Sequence, residues 1–315
     1  MPAGPRGRSV TTRGCPRMSR AGSSVNVDPR LRKPTTVMRL WDWSLPPHGV
    51  HREVLSAVPD GWADEPRATR TPPLLFIHGL AHGAWCFAQN WLPAAAAKGF
   101  PAYALSLRGH GGSGGSRQRR RTLMRHYVHD VMQTITELPQ PPVLVGHSMG
   151  AIIAQLVADR YSPRALVLLT PAPLQGAGAT MLDLARRKPM AAATVVAGGT
   201  LPMQAPQLFT GLDDATADHY VSRLVPESPW VQYELLRRRR IGPVRAPVMV
   251  AGTKADRLVR VADVERTAAA YGVDPVWLTR ADGQPLGHDV MLDTGWDRAL
   301  DSVLEFVSAN TMSRG

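Results

Sequence analysis

The stretch Val143-Leu144-Val145-Gly146-His147-Ser148-Met149-Gly150 joins two kinds of pattern. Three apolar residues, two of them β-branched, read as a short buried strand, and Met149 to Arg160 reads as a helix with its apolar positions on one face. Between them lies Gly-x-Ser-x-Gly. A strand that runs directly into a helix through this pentapeptide puts Ser148 in a tight turn with its hydroxyl above the sheet. Gly146 and Gly150 are small because backbone and helix approach closely there. In a chain with 28 glycines the pentapeptide alone is a weak signal; the strand before it and the helix after it make it specific.

Outward from this unit, strands and helices keep alternating. Upstream, Leu74-Leu75-Phe76-Ile77 is a buried strand that stops at His78-Gly79. Ala84 to Lys98 is a helix closed by Gly99, Ala102 to Leu107 a strand, and Leu123 to Leu138 a helix ended by Pro139, Pro141 and Pro142. Val37 to Trp43 and Val50 to Val58 read as a hairpin joined through Pro46, Pro47 and Gly49. Downstream, Ala165 to Leu169 is a strand, as are Val248 to Ala251 and Val276 to Leu278. Ala262 to Tyr271 is a helix ending at Gly272, and Asp297 to Val307 is the closing helix. This alternation predicts an α/β fold with a mostly parallel sheet and helices on both faces. It lapses between Pro171 and Pro243, a segment rich in Met, Ala, Leu and Pro that reads as several short helices. The expected organisation is a basic tail at 1–37, a sheet domain built from 38–170 and 244–315, and a helical cap inserted at 171–243.

The 315 residues suffice for one large α/β domain, and 44% hydrophobic content supports a substantial core. No apolar run is long enough to span a membrane. The two cysteines, Cys15 and Cys86, provide neither a disulfide framework nor a metal cluster. Residues 1–37 hold eight Arg and Lys against Asp28 alone, so +7 of the formal +12 lies there and +5 in the body. The tail is rich in Arg, Gly, Pro and Ser without apolar periodicity, which reads as disorder. It has no apolar core of a secretory signal, so a cytoplasmic protein is expected. The tail could be an unstructured extension, a start assigned upstream of Met18 or Met38, or a nucleic-acid-binding arm; nucleic acid is not an expected partner.

A serine hydroxyl needs an imidazole to take its proton, and the imidazole needs a carboxylate to hold its tautomer. After a nucleophile elbow the order is Ser, then Asp or Glu, then His. Asp256, just past the strand Val248 to Ala251, sits at the carboxyl edge of the sheet, where open α/β sheets place their ligands. Asp263 and Glu265 fall in a helix and Asp274 opens a strand, so Asp282 is the remaining rival. Only His219 and His288 lie downstream of Ser148. His219 belongs to a polar run in the inserted segment, whereas His288 follows the last strand in a loop that can return to Ser148. Oxyanion-stabilising backbone N–H groups are expected from Met149, after the nucleophile, and from Leu80, after His78-Gly79. Both side chains could also line the pocket.

These residues resemble the α/β-hydrolase superfamily over about residues 38–315. The resemblance rests on His78-Gly79-Leu80, Arg108-Gly109-His110-Gly111, Gly146-His147-Ser148-Met149-Gly150, Asp256 and His288. The ending Gly287-His288-Asp289-Val290-Met291-Leu292 with Gly295-Trp296 is similar to the lysophospholipase-like and small-ester hydrolases of that superfamily. The resemblance implies a serine hydrolase acting on a carboxylic ester, possible also for a lipid-derived one, through an acyl-enzyme, with no cofactor or metal. Alternatives on the same triad are carbon–carbon bond hydrolysis and cofactor-free perhydrolysis; a non-catalytic ligand-binding protein on this fold is a third. Relatives often carry Asp where this chain has Ser106, a departure expected to remove a local contact and not the activity.

Gly109-His110-Gly111-Gly112-Ser113-Gly114 matches Gly-x-Gly-x-x-Gly after a strand. A dinucleotide site also needs the third glycine opening a helix and an acid ending the next strand, and here Arg117, Arg119, Arg120 and Arg121 follow while Asp130 lies within a helix. That Arg cluster and Arg237-Arg238-Arg239-Arg240 read as solvated surface, with phosphate or peripheral lipid contact as the alternative. Met181, Met190 and Met203 are candidates for a flexible acyl pocket or for plain core.

Overall fold

Short runs of leucine, valine, isoleucine and phenylalanine are apolar on both sides, so strands made from them need cover on both faces. The computed structural model describes residues 49–66, 70–240 and 242–311 and meets that need. Its sheet contains β1 (Val54–Ala57), β2 (Leu74–Ile77), β3 (Ala102–Leu105), β4 (Val143–His147), β5 (Leu166–Leu169), β6 (Val248–Gly252) and β7 (Val276–Trp277). The spatial order is β1-β3-β2-β4-β5-β6-β7. All neighbours are parallel except β1, which runs antiparallel to β3.

Alternate residues of each strand feed two separate apolar layers. Leu74, Phe76, Val143 and Val145 join Trp91, Leu300 and Val303 on one face. Leu75, Ile77 and Leu144 join Tyr127, Val131, Ile152 and Val264 on the other. The helices of the first face are α1 (Trp85–Ala88), α2 (Trp91–Ala97) and α11 (Trp296–Thr311); those of the second are α3 (Met124–Glu137), α4 (Met149–Ala158) and α10 (Val261–Tyr271). The expected α/β class and two-faced cover are both present.

Two expectations are corrected. The single helix expected over Ala84 to Lys98 is two, broken at Gln89 and Asn90. Pro93 is the cause: it has no N–H for the Gln89 carbonyl, so a continuous helix would lose a bond and clash, whereas a restart at Trp91 places Pro93 in a first turn. The closing helix runs on to Thr311, four residues past the expected Val307. The tail at 1–37 and the strand Val37 to Trp43 lie outside the described residues.

Between β5 and β6 the chain forms α5 (Gly178–Arg187), α6 (Pro189–Val196), α7 (Ala205–Leu208), α8 (Asp214–Ser222) and α9 (Pro229–Leu235). Leu208, Phe209, Ala217 and Tyr220 of this segment pack into the first apolar layer and Val231 into the second. The registers Ile77 with Gly146, His147 with Leu169, and Leu169 with Ala251 bring the carboxyl ends of β2, β4, β5 and β6 level. Whatever follows those strands therefore meets at one edge.

Candidate active site

Ser148 occupies the sharp turn between β4 and α4 at φ 54°, ψ −117°, a conformation that costs a non-glycine residue about 1–3 kcal/mol and persists only where its surroundings enforce it. Here the Ser148 N–H donates to Leu169 O (2.9 Å), and its carbonyl accepts from Ala151 N (3.0 Å) and Ala172 N (3.2 Å). The flanking glycines are required by contact: a Cβ on Gly146 would stand 2.4 Å from Gly150 O, and one on Gly150 would stand 2.2 Å from Ile77 O. Ser148 itself is half-buried.

The loop after β2 lies directly against this turn, since a Cβ on Gly79 would sit 3.0 Å from Ser148 Cβ. The backbone N–H groups of Leu80 and Met149 take no part in the turn and loop hydrogen bonds of the described residues. The Leu80 side chain lines a cavity of about 360 Å³ together with Met181, Val195, Leu201, Leu235 and Leu258. The Met149 side chain instead packs in the second apolar layer, so it does not line that cavity. Of the other methionines, Met190 is 80% exposed and Met203 packs against the first layer.

His288 and Asp256 meet across two loops. His288 Nδ1 lies 2.7 Å from Asp256 Oδ2, with both side chains buried. Asp256 Oδ1 accepts from the N–H groups of Leu258 (2.7 Å) and Val259 (2.8 Å), which fixes the carboxylate. Burial works against a charged His288, but the Asp256 carboxylate outweighs it and holds the imidazole above its ordinary value. The rival Asp282 is exposed, accepting from Gln284 N and facing Arg280, and His219 is exposed on α8.

Four residues outside the expected triad, His147, His82, Asp289 and Asp293, complete the surroundings. His147 is fully buried, with its ring 4.9 Å from that of His288 and its Nε2 donating to the His288 carbonyl at 3.0 Å. Burial, then the neighbouring His288, pushes its pKa down to about 3. His82 Nε2 bonds Asp289 Oδ2 at 2.9 Å; burial opposes a charge on His82, but Asp289 prevails and raises it. Asp293 accepts from Gly287 N (2.6 Å), Thr210 N and Gly211 N (both 2.9 Å), tying the His288 loop to the chain after α7. Position alone marked His147, inside the pentapeptide, and Asp289, beside His288; nothing in the sequence pairs them.

The ligand atoms of His147, His288 and Asp289 lie within 4.8 Å of one another, a spacing a metal ion could bridge. His288 Nδ1 is engaged by Asp256 and His147 Nε2 by a carbonyl, while His147 Nδ1 and Asp289 Oδ1 are buried without a hydrogen-bond partner. The Gly109–Gly114 loop is followed by a 3-10 turn at Ser116–Arg121, and Asp130 is taken by Arg108 (2.9 Å from Nε to Oδ2), which leaves it no role toward a ribose. Ser106 is itself tied in: its hydroxyl donates to Glu53 Oε2 (2.6 Å) and accepts from Ala84 N (2.8 Å). The two Arg clusters line separate open grooves, Arg117, Arg120 and Arg121 beside Trp230, and Arg238, Arg239 and Arg240 beside Tyr271. Cys86 is buried and unpaired.

An elbow serine, a buried histidine–carboxylate pair and a seven-stranded, mostly parallel sheet define an α/β-hydrolase architecture. The sequence profile of the alpha/beta hydrolase family matches residues 74–301, and the chain belongs to that family. No curated protein sequence matches it. Among solved structures it is similar to the enol-lactonase of Burkholderia xenovorans LB400 (16% identity over 82% of this chain and 96% of that one, TM-score 0.57). It is also similar to the monoacylglycerol lipase of Paleococcus ferrophilus (18%, 84% and 100%, 0.57). A soluble variant of Saccharomyces cerevisiae monoglyceride lipase matches at 12% identity, over 84% and 94%, with TM-score 0.63. At these identities the likeness is one of fold. Among the described residues no helix is long and apolar enough to cross a membrane.

Proposed function

We propose that the protein is a serine hydrolase that cleaves a carboxylic ester through an acyl-enzyme. The observation that carries this reading is the buried 2.7 Å contact between His288 Nδ1 and Asp256 Oδ2 at the sheet edge where Ser148 is strained into its turn. Ser148 Oγ attacks the ester carbonyl while His288 Nε2 takes the hydroxyl proton, and Asp256 stabilises the imidazolium. The oxyanion accepts from the N–H groups of Leu80 and Met149. Collapse breaks the carbon–oxygen bond, the alcohol leaves with the proton from His288, and a water activated by the same imidazole releases the acid.

The segment 171–243 acts as a cap in this reading. It contributes Met181, Val195, Leu201 and Leu235 to the cavity that Leu80 also lines, so an apolar acyl group, including one derived from a lipid, suits the space. A fluorophosphonate probe is expected to label the wild-type protein and not Ser148→Ala. Absence of labelling on well-folded wild type would count against a serine nucleophile. A panel of chromogenic esters of increasing acyl length, set beside a vinylogous diketone, separates ester from carbon–carbon hydrolysis.

A further inference from the structure

Besides Ser148, the non-glycine residues with positive φ among those described are Ala81 (66°) and Thr170 (40°). Ala81 directly follows Leu80. An alanine in this left-handed conformation is disfavoured by about 1–2 kcal/mol, so something must hold it there. The Ala81 peptide groups are gripped from both sides by one short piece of the inserted segment. Val225 N donates to Ala81 O at 2.9 Å, and Ala81 N donates to Glu227 Oε2 at 3.4 Å.

Glu227 is 3% exposed, and burying a carboxylate costs several kcal/mol unless donors replace its water. The donors are present. Tyr127 Oη and Ser228 N donate to Oε1 at 2.5 and 2.7 Å. His110 Nε2 lies 3.2 Å from Oε2, within ion-pair range although not aligned as a hydrogen bond. Glu227 N in turn donates to Thr200 Oγ1 at 2.7 Å. Burial pushes the Glu227 carboxyl up, but His110 and these donors outweigh it and keep the group on the ionised side. Packing the cap against the sheet would need only an apolar residue here. A carboxylate held by core residues and facing one strained peptide does something more specific.

We propose that Glu227 is a positioning residue: reaching out of the inserted segment, its carboxylate holds the Ala81 peptide in its left-handed conformation and so sets the direction of the Leu80 N–H toward the substrate oxygen. The cap is then part of the oxyanion-stabilising scaffold as well as a wall of the pocket. This inference rests on the ester-hydrolase reading for its kinetic consequence, but not for the clamp itself.

The test compares Glu227→Gln with Ser228→Ala in the full chain. Ser228 Oγ donates to Thr122 O at 2.6 Å, another buried bond between the insertion and the core, and it does not touch Ala81. Removing one oxyanion donor lowers kcat by about 10²–10³-fold in other enzymes, and misdirecting one lowers it less. In Glu227→Gln, kcat is expected to fall about tenfold or more with KM within about threefold, and amide hydrogen exchange over residues 79–82 to speed up. Ser228→Ala is expected to lower stability with kcat close to wild type. Equal kcat losses in the two variants, or wild-type kcat and exchange in Glu227→Gln, would overturn the proposal. Should Glu227→Gln not fold, Tyr127→Phe removes one donor to the same carboxylate; a smaller kcat loss and faster exchange support the clamp, and wild-type values for both overturn it. If the wild type neither labels nor turns over esters, the hydrolase reading fails on its own, and exchange at residues 79–82 still decides whether Glu227 holds Ala81.

Discussion

His147 Nε2 donates to the backbone carbonyl of His288 across 3.0 Å, so the residue before Ser148 grips the residue proposed to activate it. The two loops are separated by 141 positions in sequence, and this bond sets their spacing independently of the His288 side chain. The contact uses the His288 backbone and leaves its imidazole free to face Asp256.

The titration of His288 should be visible in turnover. A general base must be neutral, and Asp256 holds the imidazole above its ordinary 6.5. The acidic limb of a kcat/KM profile is therefore expected above pH 6.5. In Asp256→Asn the raising charge is gone while burial remains, so the limb moves to lower pH and kcat falls about 10⁴-fold, as tautomer control is lost. A limb that does not move would argue for a different carboxylate.

His147 should make the fold acid-sensitive. Its folded pKa of about 3 lies below the ordinary 6.5, so the unfolded chain binds that proton better. The stability is fully present above pH 6.5 and is lost as pH falls toward 3, by at most about 1.4 kcal/mol per pH unit. His82 and His288, both raised, act only above their ordinary value and do not oppose this window. His147→Gln keeps a donor and does not titrate. Urea denaturation at several pH values should show a flatter dependence between pH 6 and 4 for the variant than for wild type, on the order of 1 kcal/mol per pH unit; superimposable slopes would contradict the assignment.

Ser106 and Glu53 should be coupled. Ser106→Asp would set a second carboxylate against Glu53, whose Oε2 lies 2.6 Å from the Ser106 hydroxyl. The change is expected to destabilise the protein by about 1–3 kcal/mol. Glu53→Gln in the same background should recover much of that, giving a non-additive double-mutant cycle. Additive effects in thermal unfolding would mean that the two side chains do not share the contact.

The cavity wall should set acyl length. Met181 contributes to a space of about 360 Å³, and Met181→Trp would fill part of it. Ester hydrolysis by the variant is expected to lose at least about tenfold in kcat/KM for long acyl chains relative to short ones, since each excluded methylene forfeits about 0.8 kcal/mol of burial. Equal losses at all chain lengths would place the acyl group elsewhere.

Much of the architecture is visible in residue order because it is local. A buried strand is a run of apolar residues, a helix stops at Gly272 or before Pro139, and Gly146 is demanded by contacts with Gly150 and Ala151 a few residues on, although Gly150 is demanded by Ile77 in the neighbouring strand. The break at Gln89 is legible in the same way, through Pro93. The sites of Ser148, Leu80 and Met149 follow from the strand ends that precede them, as does the place of Asp256 after β6.

Other features depend on contacts that no local pattern encodes. Glu227 lies 146 positions from Ala81, and His82 lies 207 from Asp289. As letters, a glutamate after a proline and a histidine in a loop are ordinary surface polar residues. Only folding takes them out of water, and a desolvated charge must then find donors wherever the chain has put them. The sequence by itself determined the sheet, the elbow and the set of residues that reach its edge. The tertiary structure decided which of those residues are buried together, and burial is what turns Asp256, His147 and Glu227 from side chains into partners.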